Sequence, residues 1–173
     1  PTALNILLQT KHDDNLNFDS LRYIMTGGQP FSLELYNQLN SKFSGTKIIN
    51  MYGCSENSPR ISYHYINGLE GLSKENYYSV GRPILGTKIN VVDSASKSCD
   101  SNKIGEIIIK GNSLMSRYWN EASITDDRLI DGWFHTGDLG YFDKSGLLFI
   151  TGRNDTRINI GNEKVSPEEV EMV

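Results

Sequence analysis

Apolar positions in the first third of the chain change period twice. Leu21-Arg22-Tyr23-Ile24-Met25 is a strand-like run that ends in Gly27-Gly28. Beyond Ser32, the residues Leu35, Leu39 and Phe43 recur at helical spacing, and Ser32 stands where a side-chain oxygen would cap the first turn. Lys47-Ile48-Ile49-Asn50-Met51-Tyr52 then reads as a second strand running into Gly53. Strand, helix and strand in that order predict a parallel β-α-β unit. Such sheets bind ligands beyond the carboxyl ends of their strands. Both glycine turns would therefore border a candidate site.

From about Tyr77 the runs shorten. Lys88 to Val92, Gly105 to Lys110 and Gly146 to Thr151 are β-rich stretches separated by Ser, Asp, Asn and Gly, and Asp143-Lys144-Ser145-Gly146 has hairpin-turn composition. A short helix is predicted from Ser123 to Leu129. A new unit starts with Arg157 to Val165, followed by a helix announced by Ser166 at its cap, Pro167 in its first turn and Glu169 completing a capping box. The predicted class is α/β plus β. Residues 1–65 would end a β-α-β sheet subdomain, 66–152 would form a small, distorted antiparallel β-barrel subdomain, and 153–173 would hold a hinge and the first elements of a C-terminal α+β domain. A chain that opens on Pro1 and closes inside an announced helix is expected to be a fragment of a longer protein.

Composition removes several function classes. Lys and Arg number 17 against 21 Asp and Glu, a net charge of −4; the cations are scattered and not interleaved with aromatics, which argues against nucleic acid as a partner. No apolar run approaches the roughly 20 residues of a membrane span, and Leu4 to Leu8 is too short and polar-flanked for a signal peptide. Cys54 and Cys99 form no C-x-x-C pair and no metal-ligand spacing with His. A free thiol at Cys54 is easiest to keep in a reducing compartment, so a cytoplasmic location is expected.

The candidate chemistry sits in Gly132-Trp133-Phe134-His135-Thr136-Gly137-Asp138 and in Gly152-Arg153-Asn154-Asp155. The Asp138 carboxylate, on an expected glycine-supported turn, can accept two hydroxyl protons at once, as ribose recognition requires, and the Arg153 fork can meet a phosphate or ribose oxygen. Gly137 would let the backbone approach a ligand closely. Local chemistry alone is equally served by a surface β-turn with an Asp and a strand-end Arg. Tyr52 likewise reads as a core tyrosine at a strand end, Asn50 as a turn-facing polar residue, and Ser55-Glu56 as a helix cap.

Six segments taken together change the balance. Gly27-Gly28-Gln29-Pro30-Phe31-Ser32, Asn50-Met51-Tyr52-Gly53-Cys54-Ser55-Glu56, Val80-Gly81-Arg82-Pro83, Gly105 to Gly111, Gly132 to Gly140 and Gly152 to Asp155 resemble, in order and spacing, motifs of the adenylate-forming (AMP-binding) enzyme superfamily. The likeness is greatest to acyl-CoA synthetases and other acid–thiol ligases, and Ser55 stands where the family's Tyr-Gly-x-Thr-Glu motif has Thr. The resemblance implies a nucleotide site of Gly27, Gly28, Gln29, Asn50, Tyr52, Gly53, Ser55, Asp138 and Arg153. In it Tyr52 would lie against adenine, Asn50 at the adenine edge, Asp138 on the ribose hydroxyls and Arg153 on the ribose or α-phosphate side. Ser55 and Glu56 would be catalytic, the hydroxyl toward the phosphates and the carboxylate toward Mg²⁺. Asp155 would be the hinge, Gly161 would belong to the loop on the thiol side, and His135 would be structural.

The implied reaction is ATP-dependent activation of a carboxylic acid as an acyl-adenylate, followed by transfer to a thiol. Gly132 to Asp138 and Val165-Ser166-Pro167-Glu168-Glu169 resemble the versions that use coenzyme A. The alternatives are an adenylation domain loading a carrier-protein thiol, or a non-catalytic nucleotide-binding relative; the latter would lack Glu56, Asp138 or Arg153, and all three are present. No segment matches the family's phosphate loop, its terminal catalytic Lys or a Walker-type loop. The chain is therefore expected to be inactive by itself.

Overall fold

Two sheets in succession follow from the change of pattern. The structure, a computed structural model, describes residues 2–9, 18–154, 158–160 and 163–165. Strands β1 (Tyr23–Gly27) and β2 (Lys47–Tyr52) pair in parallel, from Tyr23 opposite Lys47 to Gly27 opposite Met51. Between them runs α2 (Leu33–Lys42), and the Ser32 hydroxyl accepts from the Leu35 amide at 3.2 Å. Leu35, Leu39, Phe31 and Phe43 bury the helix against Ile24, Ile48 and Ile66 of the sheet. The β-α-β unit is thus present as predicted, with β1 starting two residues later than expected and running on to Gly27. A helix not predicted from the sequence, α1 (Thr2–Gln9), packs Leu4, Leu7 and Leu8 on the same core. Strands β3 (Ser62–Ile66) and β4 (Arg82–Pro83) extend the sheet antiparallel in the order β1-β2-β3-β4.

The second sheet is antiparallel throughout and curls as a half-barrel. It contains β5 (Thr87–Val92), β6 (Gly105–Gly111), β7 (Leu129–Ile130), β8 (Trp133–Phe142) and β9 (Leu148–Arg153), with α3 (Ala122–Arg128) leading into β7. One edge of β8 pairs with β6, and its other edge is shared by β7 at the start and β9 at the end. The turn before β9 is the predicted one: Asp143 Oδ1 accepts from the amides of Ser145 and Leu147. Val91, Ile107, Ile109, Phe134 and Leu148 form its core together with Tyr52, Ile61 and Val80 from the first sheet's segments.

The sheets are stitched where that core is shared. Val80 N donates to Leu148 O and Leu148 N to Gly81 O, both at 2.9 Å, while Ser79 Oγ donates to Leu148 O at the same distance. This seam fixes the end of β2 relative to β8 and β9. Beyond it, β10 (Ile158–Ile160) and β11 (Glu163–Val165) form an antiparallel pair. Asp155, Gly161 and the helix predicted from Ser166 lie outside the described residues. Among the described residues no helix is long and apolar enough to cross a membrane.

Candidate active site

Thr136-Gly137-Asp138 is not the turn that its composition suggested. It lies inside β8, where pairing with β6 slips: Ile108 faces His135, but Glu106 faces Leu139. Thr136, Gly137 and Asp138 therefore share the place opposite Ile107. Gly137 has φ +76°, a left-handed conformation that other residues adopt at a cost, and a Cβ there would lie 2.8 Å from an Arg128 guanidinium nitrogen. Side chains replace the broken ladder. Glu106 Oε1 accepts from Gly137 N at 3.2 Å, and its Oε2 lies 2.9 Å from His135 Nδ1. Thr136 Oγ1 donates to Ile107 O at 2.7 Å and accepts from Asp138 N at 3.0 Å.

Bulges of this kind re-aim the side chain that follows. Asp138, buried, receives the Tyr52 hydroxyl on Oδ2 at 2.5 Å, and its Oδ1 lies 3.1 Å from Arg153 Nη1. Arg153 is the cross-strand partner of Asp138 in β9, so register and charge agree. Burial first, and then the charge and hydrogen bond of Asp138, hold the Tyr52 phenol far above its ordinary value of 10.0. Tyr52 is therefore a protonated donor at any physiological pH. An ionised carboxylate can accept several hydrogen bonds at once.

The parallel strands bring a second group to the end of β2 that carries Tyr52. Gly27 faces Met51 in register, and exposed Gly28 and Gln29 follow beyond it. A Cβ on Gly53 would sit 1.5 Å from Pro59 O, so the fold itself demands glycine there, apart from any ligand. Asn50 is 1% exposed, and its Nδ2 donates to Tyr78 O and Ser79 O at 3.2 and 3.0 Å. Its role is thus inward, holding the seam and not facing a turn. Its Oδ1 is buried and has no partner among the described residues. Tyr52 is also largely buried, with its ring in the shared core.

Ser55 and Glu56 occupy a 3-10 turn, Ser55–Asn57, with Ser55 exposed and Glu56 half-buried. Burial alone would raise the pKa of Glu56, but the hydrogen bond from Tyr118 and lesser influences, including Arg128, hold it below the ordinary 4.5. It is an ionised carboxylate at neutral pH. The Cys54 thiol is pushed up to about 11 by burial and then by the Glu56 charge, which leaves it protonated and a poor nucleophile. Among the described residues no three His, Cys, Asp or Glu side chains gather to hold a metal. Mg²⁺ takes one or two protein carboxylates and completes its shell with phosphates and water, and the ionised Glu56 fits that demand.

Three supporting residues here were not assigned a role from the sequence. Tyr118 OH donates to Glu56 Oε1 at 2.7 Å, Glu106 fills the bulge, and Arg128 donates to His135 O at 3.3 Å while acting on the Glu56 charge. Tyr118 and Glu56 are 62 residues apart, and Glu106 lies 29 and 31 residues from His135 and Gly137, so only the fold brings these together. Arg128 and His135, by contrast, are 7 apart.

Relatives of known activity share this arrangement of elements. The profile of a family described as AMP-binding enzyme matches residues 1–119. The chain is 32% identical over 174 residues to a long-chain-fatty-acid–CoA ligase of Salmonella typhimurium, covering 99% of this chain and 30% of that protein. It superposes with a TM-score of 0.82 on O-succinylbenzoate coenzyme A synthetase from Bacillus subtilis in complex with ATP and magnesium ion, at 32% identity, over 98% of this chain and 34% of that one. The McyG A-PCP structure complexed with phenylalanyl-adenylate gives a TM-score of 0.77 at 29% identity, over 90% of this chain and 29% of that one. The chain thus spans about a third of the length of the relatives it matches.

Proposed function

The chain belongs to the AMP-binding enzyme family, and from that premise we propose that it serves ATP-dependent activation of a carboxylic acid as an acyl-adenylate, with transfer to coenzyme A. The observation that carries this reading is the Tyr52–Asp138–Arg153 constellation at the edge where β1 and β2 end. Asp138 accepts the ribose hydroxyls, and Arg153 lies beside it for the ribose or α-phosphate oxygens. Gly27, Gly28, Gln29 and Gly53 border the adenine and acyl group, with Tyr52 against the base. Asn50 Oδ1, already oriented by the two bonds of its amide nitrogen, is an acceptor that an adenine amino group would satisfy. Ser55 offers its hydroxyl to the phosphates.

Glu56 would hold Mg²⁺, which when bound neutralises phosphate charge. Asp155 is the hinge of a moving C-terminal domain in this reading, and Gly161 approaches from the thiol side. Free Cys54 and Cys99 fit a reducing, cytoplasmic setting in the same reading. A carrier-protein thiol is the second reading for the acceptor, supported by the likeness to the McyG A-PCP structure.

An ATP–pyrophosphate exchange assay on the whole protein against a panel of carboxylic acids tests the reaction. Acid-dependent exchange is expected, followed by thioester formation with coenzyme A. ATP binding without exchange for any acid would favour a non-catalytic nucleotide-binding protein instead.

A further inference from the structure

The chain between β6 and α3 crosses the 3-10 turn at Ser55–Asn57 and is bonded three times to it and to its C-terminal cap, Ser58. Ser58 Oγ donates to Ser113 O at 3.2 Å, Met115 N to Glu56 O at 2.7 Å, and Tyr118 OH to Glu56 Oε1 at 2.7 Å. Both the backbone and the carboxylate of Glu56 are therefore held from one strap. The strap is itself fixed. Leu114, Met115 and Tyr118 pack on the shared core, Tyr118 N donates to Thr125 Oγ1 at 3.0 Å, and that hydroxyl donates to Glu121 O at 2.8 Å in the first turn of α3.

We propose that Tyr118 is a positioning residue that fixes the Glu56 carboxylate for a divalent cation carried by a nucleotide. This rests on the reading of Glu56 as the metal carboxylate. A glutamate side chain has three torsions to order before it can coordinate. A hydrogen bond to one oxygen from an anchored phenol orders the terminal torsion in advance, and preorganisation of this kind lowers the cost of binding. Burial and the bond to Glu56 push the Tyr118 phenol up to about 12, so it remains a donor throughout the neutral range.

The test compares Tyr118→Phe, which keeps the ring and removes the hydroxyl, with Glu56→Gln and the double variant in the whole protein. Calorimetry measures affinity for Mg·ATP and for ATP in excess EDTA, and Mn²⁺ binding in the presence of ATP is followed by electron paramagnetic resonance. Tyr118→Phe should weaken Mg·ATP and Mn²⁺ binding by on the order of tenfold, leave metal-free ATP binding unchanged, and add nothing in the Glu56→Gln background. A Thr125→Val variant, which loosens the anchor, should fall between wild type and Tyr118→Phe. If Glu56→Gln weakens metal binding while Tyr118→Phe and Thr125→Val match wild type, the positioning role is wrong and the reading of Glu56 stands. If Glu56→Gln leaves metal binding unchanged, the reading of Glu56 itself fails. Equal loss with and without metal in Tyr118→Phe would mark a merely structural contact and overturn the proposal.

Discussion

Asp138 concentrates the residue-scale argument, because one buried carboxylate meets a phenol and a guanidinium from different strands. Removing it would leave the Tyr52 hydroxyl and Arg153 without their shared acceptor, and ribose hydroxyls without theirs. In the whole protein Asp138→Ala is expected to weaken ATP binding by about 1.5–3 kcal/mol, the range for hydrogen bonds to charged groups. Calorimetric titration of a folded variant with unchanged ATP affinity would refute the ribose assignment. Glu56 makes a second, pH-dependent prediction. Its pKa is lowered in the fold, so the stabilisation from its charged form is present above the ordinary 4.5 and is lost as pH falls through the lower, folded value. Mg·ATP binding should fade on acidification at a higher pH in Tyr118→Phe than in wild type. Titrations of the two proteins giving superimposable curves would remove Tyr118 from that account.

Elements that depend on near neighbours were legible in the sequence. The Ser32 cap, the Leu35–Leu39–Phe43 face of α2 and the β1-α2-β2 order rest on propensity and period alone. Ser32→Ala should cost about 1 kcal/mol, read as a lower urea midpoint, while Ser32→Asp should keep most of the cap. Thr136-Gly137-Asp138 was misread because turns and bulges both place glycine at positive φ. Composition cannot tell them apart; the ten-residue length of β8 and its slip against β6 can. Strand β3 carries two exposed tyrosines on its outer face, and its pattern does not stand out from the polar segment around it. For the site, the motifs named Asp138, Arg153, Glu56 and Tyr52. Their supports, Glu106, Tyr118 and Arg128, were not singled out because nothing local marks which distant side chain each would meet.

At the scale of the molecule, function in this reading requires one part to move and another to stay fixed. In the proposed reading the moving part would begin at Asp155. If it is the hinge, Asp155→Pro fixes φ and should reduce thioester formation more than adenylate formation; equal loss in the two half-reaction assays would count against it. The fixed part is the seam. Asn50 donates to Tyr78 O and Ser79 O, Ser79 Oγ donates to Leu148 O, and Gly81 N donates back to Ser79 Oγ at 2.7 Å. These bonds hold one short segment between the sheets, and with it the distance from Tyr52 to Asp138. Asn50→Ala would leave two buried carbonyls without that donor, a loss of about 1–3 kcal/mol. Ser79→Ala should lose a comparable amount. Since both act on the same segment, the double variant should be non-additive by about 0.5 kcal/mol or more in equilibrium unfolding. Strict additivity would mean that the two sheets are joined by independent contacts, and that the Tyr52–Asp138 pair is aligned by the core around Leu148 and not by the seam.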